Sequence, residues 1–340
     1  MLPVFSKAGS FLLVKGFIMD VLSIFKGALS FDVDEKGFIT PYRFTKKQLA
    51  VYDKKPNGLY ARATGGIFAE FYTDEDKISF SYSVQKAWTT MFEDSTPTFD
   101  IFENGVLTDT KELSFEDKGA HTISYACESK GEKKLCIVFP ANAMVSVGNF
   151  KIGSFREAEF SKKSFLVLGD SISQGLLNNT ASNNYPFLLR RFLDADFVNQ
   201  GVGGDGFFSN ALDTVGFTPD FIIIELGTND MAFVGDIEKT KAHIKAYFKR
   251  FCELYPKIKT YVISPAWLSD EKENKAKSEL LSKISDEIKS TARAYGFELI
   301  DGRKLVPHHK RYYSDDAHPN NLGFAHLSLN LIKHLKEQNA

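Results

Sequence analysis

The sequence has little cysteine: 3 in 340 residues, Cys127, Cys136 and Cys252. An odd number without metal-ligand spacing excludes a disulfide framework and a thiolate metal centre. It points to small buried hydrophobes in a reducing compartment. Net charge is equally scarce. At -1, the chain lacks the field that would gather nucleic acid or anionic lipid, and neither is expected as a partner. Long apolar runs are missing too. Lys7, Lys15, Asp20 and Lys26 interrupt the fairly apolar residues 1–30, whose longest uncharged stretch, residues 8–14, is too short to span a bilayer and has no small-x-small cleavage site after it. Residues 1–30 are therefore read as an extension, with Met19 an alternative start to Met1. The protein is expected to be cytoplasmic, without a membrane partner. Two motifs are also absent: no G-x-S-x-G surrounds a serine, and no G-x-x-x-x-G-K-[ST] exists.

What is present is ordinary for a globular chain, 43% hydrophobic and 25% charged, with 31 Phe that must be mostly core. The length allows two domains or one large one. Two textures meet near Lys162. Residues 31–160 favour short strands, by alternation in Lys77-Ile78-Ser79-Phe80-Ser81-Tyr82 and in Thr98-Phe99-Asp100-Ile101-Phe102. Turns at Pro56-Asn57-Gly58, Thr73-Asp74-Glu75-Asp76 and Glu103-Asn104-Gly105 separate them. No long stretch there is helical in period, which predicts a β-sandwich of jelly-roll kind. Residues 161–340 alternate buried strands (165–168, 196–199, 221–226, 260–263, 297–300) with helices (185–193, 237–254, 274–295, 322–336). Residues 269–278 read as a solvated loop entering the third of these helices. This predicts a three-layer α/β/α domain on a five-stranded parallel sheet, with active groups at the carboxyl ends of the strands.

Four of those ends carry chemistry. The first strand runs into Gly169-Asp170-Ser171-Ile172-Ser173, which places a serine hydroxyl at a tight strand-to-helix turn; a helix-capping serine is the structural alternative. After the second strand comes Asn199-Gln200-Gly201-Val202-Gly203-Gly204-Asp205, where a glycine presents its N–H unobstructed. After the third comes Gly227-Thr228-Asn229-Asp230, with a side-chain amide. Before the last helix comes Asp315-Asp316-Ala317-His318-Pro319. Together they supply an acyl-transfer site. Ser171 is the nucleophile, His318 its base, and Asp315 orients the imidazole. The N–H groups of Ser171 and Gly204, with the Asn229 amide, form an oxyanion hole. Asp316 is the neighbouring carboxylate, facing solvent or capping the last helix. This chemistry needs no metal and no organic cofactor.

The ordered blocks GDSIS, NQGVGGD, GTND and DDAHP resemble those of the SGNH/GDSL hydrolase superfamily, from residue 165 to the C-terminus. The resemblance implies a flavodoxin-like fold and a serine esterase. The N-terminal half, through Arg62-Ala63-Thr64-Gly65-Gly66-Ile67 and Phe99-Asp100-Ile101-Phe102, is similar to the sandwich domains of bacterial carbohydrate esterase family 2. That implies deacetylation of sugar hydroxyls, with a small ester or oligosaccharide as the substrate partner. Trp267, at the end of the fourth strand, is a candidate for stacking on a sugar, or a packing tryptophan. Trp88 is expected in the core.

Other readings are weighed on the same residues. Gly201-Val202-Gly203-Gly204-Asp205-Gly206 satisfies G-x-G-x-x-G, with Glu225 as a ribose acid, but little chain is left for the helix a dinucleotide needs. His308 and His309 are adjacent surface residues without ligand spacing. Within the esterase reading, a lysophospholipase or thioesterase acting on longer acyl chains is the rival. A non-catalytic carbohydrate-binding protein is the alternative outside it. Nothing in the sequence sets an oligomeric state.

Overall fold

The computed structural model describes residues 20–88, 96–114, 119–178, 180–231 and 236–337. The earlier part of the expected extension, with Met19, lies outside the described residues. Residues 21–30 do not behave as an extension. Val21, Ile24 and Phe25 are buried in the core of the first half, because Phe25 packs at 5.7 Å on both Phe31 and Phe139.

The first half is two antiparallel sheets around one core. One sheet has the order β1 (Phe25–Lys26), β4 (Phe68–Thr73), β9 (Lys133–Val138), β6 (Thr98–Glu103), β7 (Val106–Glu112), with β11 (Phe155–Glu157) also on β4. The other has the order β2 (Ser30–Val33), β3 (Ile39–Tyr42), β10 (Ala143–Lys151), β5 (Lys77–Ala87), β8 (His121–Ala126). The alternation in β5 sends Ile78, Phe80 and Tyr82 into the core to meet Phe99, Ile101 and Val147. The Asn104-Gly105 signal is a two-residue hairpin with both residues at positive φ, 50° and 83°, joining β6 to β7. The first half is not all strand. A helix, α1 (Lys46–Tyr52), follows β3 under a capping box of Thr45 and Gln48, and a 3-10 turn occupies Gly58–Arg62.

The second half is a parallel sheet in the order β13 (Ala195–Gly201), β12 (Lys163–Gly169), β14 (Phe221–Glu225), β15 (Lys259–Ile263), β16 (Glu298–Ile300). Numbered within the half this is 2-1-3-4-5, a doubly wound sheet whose order reverses beside β12. Alternate residues feed two cores. Phe165, Val167 and Ile223 face α3 (Tyr185–Leu193) and α6 (Asn321–Glu337), while Leu166, Leu168 and Ile222 face α4 (Ile237–Leu254) and α5 (Lys275–Ala294). Asn274 caps α5, so the loop of 269–278 enters its helix at 274, where that helix is expected to begin. Phe68, Phe102 and Val138 of the first half lie in the same core as α3, with Phe68 and Phe187 at 5.8 Å. β4 is thus covered on both faces, and its sequence shows no clean alternation.

Candidate active site

β12 turns straight into α2 (Ser171–Gln174), whose first N–H groups are capped by Asp170: Oδ1 accepts from Ile172 N at 2.9 Å. Gly169 permits the turn, since a Cβ there would collide with the Ser173 side chain. Ser171 therefore stands at the carboxyl edge of the sheet, beside the reversal of strand order. Its Oγ is 2.7 Å from His318 Nε2, and His318 Nδ1 is 2.8 Å from Asp315 Oδ2.

Asp315 builds the loop that presents the histidine. Its Oδ1 accepts from the backbone N–H of Ala317 at 2.8 Å and of His318 at 2.7 Å. Burial pushes the Asp315 carboxyl up, but these bonds and the His318 ring outweigh it and hold it at about 2. The carboxylate is ionised at neutral pH, so the imidazole keeps its proton on Nδ1 and offers Nε2 to the Ser171 hydroxyl. Asp316 faces elsewhere: its Oδ1 accepts from Ser269 Oγ at 2.9 Å, and Asn320 caps the last helix.

Gly204 lies in the left-handed region, φ 74°. Among the described residues, neither its N–H nor that of Ser171 has an acceptor within the protein. Asn229 Nδ2 donates to Asp205 O at 3.0 Å and to Asp170 Oδ2 at 3.2 Å, which places the amide between the glycine loop and the turn that carries Ser171. Below lies a set of buried carboxyls. Burial raises Asp170 to about 6, against the pull of the Ile172 N–H and His318. Burial and then the charge of Asp170 raise Glu225 well above the carboxyl range. Glu225 holds the proton of the pair, and its Oε2 also accepts from Ser173 Oγ at 2.9 Å. Burial raises Asp230 to about 7. With Glu225 protonated, Asp170 is the charged member of the pair at neutral pH, and its carboxylate attracts His318 as Asp315 does.

Ser171, His318, Asp315 and Asn229 are brought together by these bonds, and Gly204 directly precedes Asp205 in the same loop. Trp267 is not open to a sugar. It is 9% exposed, with His308 stacked at 5.1 Å and 8° and Tyr313 edge-on at 5.3 Å, so its ring is a packing surface. Trp88 differs from expectation in the other direction. It is half-buried and stacks on Tyr60 at 4.7 Å. The G-x-G-x-x-G stretch is followed by only a 3-10 turn, Ser209–Ala211, which gives a pyrophosphate no helix terminus.

Sequence reasoning missed Arg43. It has no exposure, and its Nη1 donates to Asn199 O at 2.8 Å and to Gly201 O at 2.6 Å at the root of the glycine loop. No periodic signal could have found it. Gly66 (φ 95°) marks the same junction: a Cβ there would stand 2.6 Å from Asn199 Cβ.

Residues 167–326 match the model of the GDSL-like Lipase/Acylhydrolase family. No curated protein matches the sequence. Among solved structures, the chain is similar to a salicylyl-acyltransferase from a tetracycline biosynthetic pathway: TM-score 0.76, 18% identity, 93% of this chain and 94% of that one. It is also similar to a family two carbohydrate esterase from Cellvibrio japonicus, TM-score 0.64, 16% identity, 94% and 96% covered. A third is a family two carbohydrate esterase from Clostridium thermocellum in complex with cellohexaose, TM-score 0.63, 15% identity, 81% and 93% covered. At these identities the likeness is one of fold. The family match gives the class: residues 167–326 are a GDSL-like acylhydrolase domain, and the protein is a carboxylic ester hydrolase. More particularly, that domain is of the SGNH hydrolase kind, and in fold the chain resembles enzymes of carbohydrate esterase family 2.

Proposed function

We propose that the protein removes short acyl groups, O-acetyl above all, from sugars or oligosaccharides through an acyl-enzyme on Ser171. The observation that carries the reading is the unbroken path from Ser171 Oγ through His318 to an ionised Asp315, at 2.7 and 2.8 Å. The Ser171 hydroxyl gives its proton to His318 Nε2 as Oγ attacks the ester carbonyl. The N–H groups of Ser171 and Gly204 and the Asn229 amide receive the oxyanion. The imidazolium, held by Asp315, protonates the departing sugar oxygen, which leaves as the free hydroxyl. Water deprotonated by His318 then releases acetate and restores Ser171. Asn229 must free one N–H for this. Its bond to Asp170 is the longer one, 3.2 Å against 3.0 Å to Asp205 O, so the Asp170 bond is the one exchanged.

The sugar assignment draws its support from an architecture shared with carbohydrate esterases over most of both chains. The same reading divides the chain near residue 160 into a sandwich and a hydrolase domain. Mass-spectrometric tracking of acetyl loss from acetylated xylo-, manno- and gluco-oligosaccharides tests it, alongside p-nitrophenyl acetate, butyrate and octanoate. Deacetylation of a sugar and rates that fall with chain length are expected. Preference for octanoate, with every sugar left acetylated, would overturn the substrate assignment and favour a lipid ester.

A further inference from the structure

The segment 43–62 of the first half closes over the back of the glycine loop. Arg43 holds the end of β13, and Asn57 Nδ2 donates to Gly203 O at 3.0 Å. Asp205 is gripped by its side chain: Tyr52 OH donates to Oδ2 at 2.7 Å and Lys55 Nζ to Oδ1 at 3.1 Å. The pair is buried, with the Lys55 and Asp205 side chains 13% and 8% exposed. Asp205 also touches both halves of the oxyanion site. It directly follows Gly204, its N–H closes the turn onto Val202 O at 3.0 Å, and its carbonyl accepts from Asn229 Nδ2 at 3.0 Å.

We infer that Tyr52 and Lys55 are positioning residues for the oxyanion site: by fixing the Asp205 carboxylate, they set where the Gly204 N–H and the Asn229 amide stand. The inference rests on the esterase reading above. A loop of Gly203-Gly204 has no side chains of its own to wedge it in place, and an oxyanion donor acts only at hydrogen-bond distance from the developing charge. A displacement of ~1 Å is enough to cost ~100-fold in rate. The first half would then complete the catalytic geometry, in addition to whatever it binds.

Full-length Tyr52→Phe and Lys55→Met test this. Tyr52→Phe deletes one hydrogen bond and no charge, so it stays informative if Lys55→Met, which leaves the Asp205 charge buried and unpaired, does not fold. The readouts are kcat and KM for p-nitrophenyl acetate, the inhibition constant of methylboronic acid, which forms a tetrahedral adduct on serine, and the thermal midpoint. Expected is a fall in kcat of ~10-fold for Tyr52→Phe and ~100-fold for Lys55→Met, with KM within ~2-fold. Boronate affinity should fall in parallel, and Lys55→Arg should recover most of the rate. A pair that only joins the two halves would lower the thermal midpoint and leave kcat and boronate affinity alone, and that result in a folded Tyr52→Phe overturns the inference. A wild-type enzyme without esterase activity would overturn the esterase reading and this inference with it. An active wild type with unaltered variants overturns this one alone.

Discussion

Arg43 and Gly201, 158 positions apart, are joined by a 2.6 Å hydrogen bond in which the buried guanidinium donates to the carbonyl that ends β13. Three more of its N–H groups go to Asn199 O, Ala63 O and Tyr60 O, at 2.7 to 2.9 Å. No carboxylate is among these partners. Burial pulls the Arg43 pKa below its ordinary value, and the carbonyls hold the charge in place.

Replacing Arg43 with Met removes a donor from each of those carbonyls in the interior, of which Tyr60 O keeps the Ala63 N–H. The expected cost is on the order of 3 kcal/mol of unfolding free energy, read from the denaturant midpoint. A loss below ~1 kcal/mol would show that the junction is held by other contacts.

Asn229→Ala removes one oxyanion donor and little packing. A drop in kcat of ~100- to 1,000-fold is expected, with an almost unchanged thermal midpoint. Steady-state kinetics with p-nitrophenyl acetate check it, and a change confined to KM would place Asn229 in substrate binding instead.

Asp315→Asn keeps an acceptor for the Ala317 and His318 N–H groups but cannot stabilise an imidazolium. Activity should fall by ~10,000-fold. Unaltered turnover would show that Ser171 and His318 work as a dyad.

The buried carboxyls set a pH dependence of stability. Asp170 and Asp230 are raised to about 6 and about 7, so the folded protein keeps protons that the unfolded chain has released. Their contribution is complete below the ordinary carboxyl range and is lost as pH rises through 6 to 7. Asp315, held at about 2, acts in the opposite sense, and its contribution disappears as pH falls from about 4 towards 2. Asp230→Asn should therefore raise the thermal midpoint more at pH 8 than at pH 4. An equal shift at both would remove Asp230 from this account.

The parallel sheet was legible because a strand covered on both faces must be a short apolar run, as in Phe165-Leu166-Val167-Leu168, and its covering helices must be amphipathic. The four blocks were legible because they fall at strand ends. The positioning groups were not. Arg43, Tyr52 and Lys55 act through contacts with residues about 150 positions away, which no local pattern encodes. The helix that carries Tyr52 did leave a signal, the Thr45-x-x-Gln48 capping box. The tryptophans show another limit: stacking on His308 decides that Trp267 is closed, and stacking on Tyr60 leaves Trp88 half-open.

Rapid-quench mass spectrometry of the protein during p-nitrophenyl acetate turnover addresses the central assignment most directly. An acetyl group on the peptide that carries Ser171 is expected, absent from Ser171→Ala, whose turnover should be lower by ~10,000-fold or more. Turnover by Ser171→Ala at the wild-type rate, or an acetyl group on a different residue with Ser171 unmodified, would contradict it.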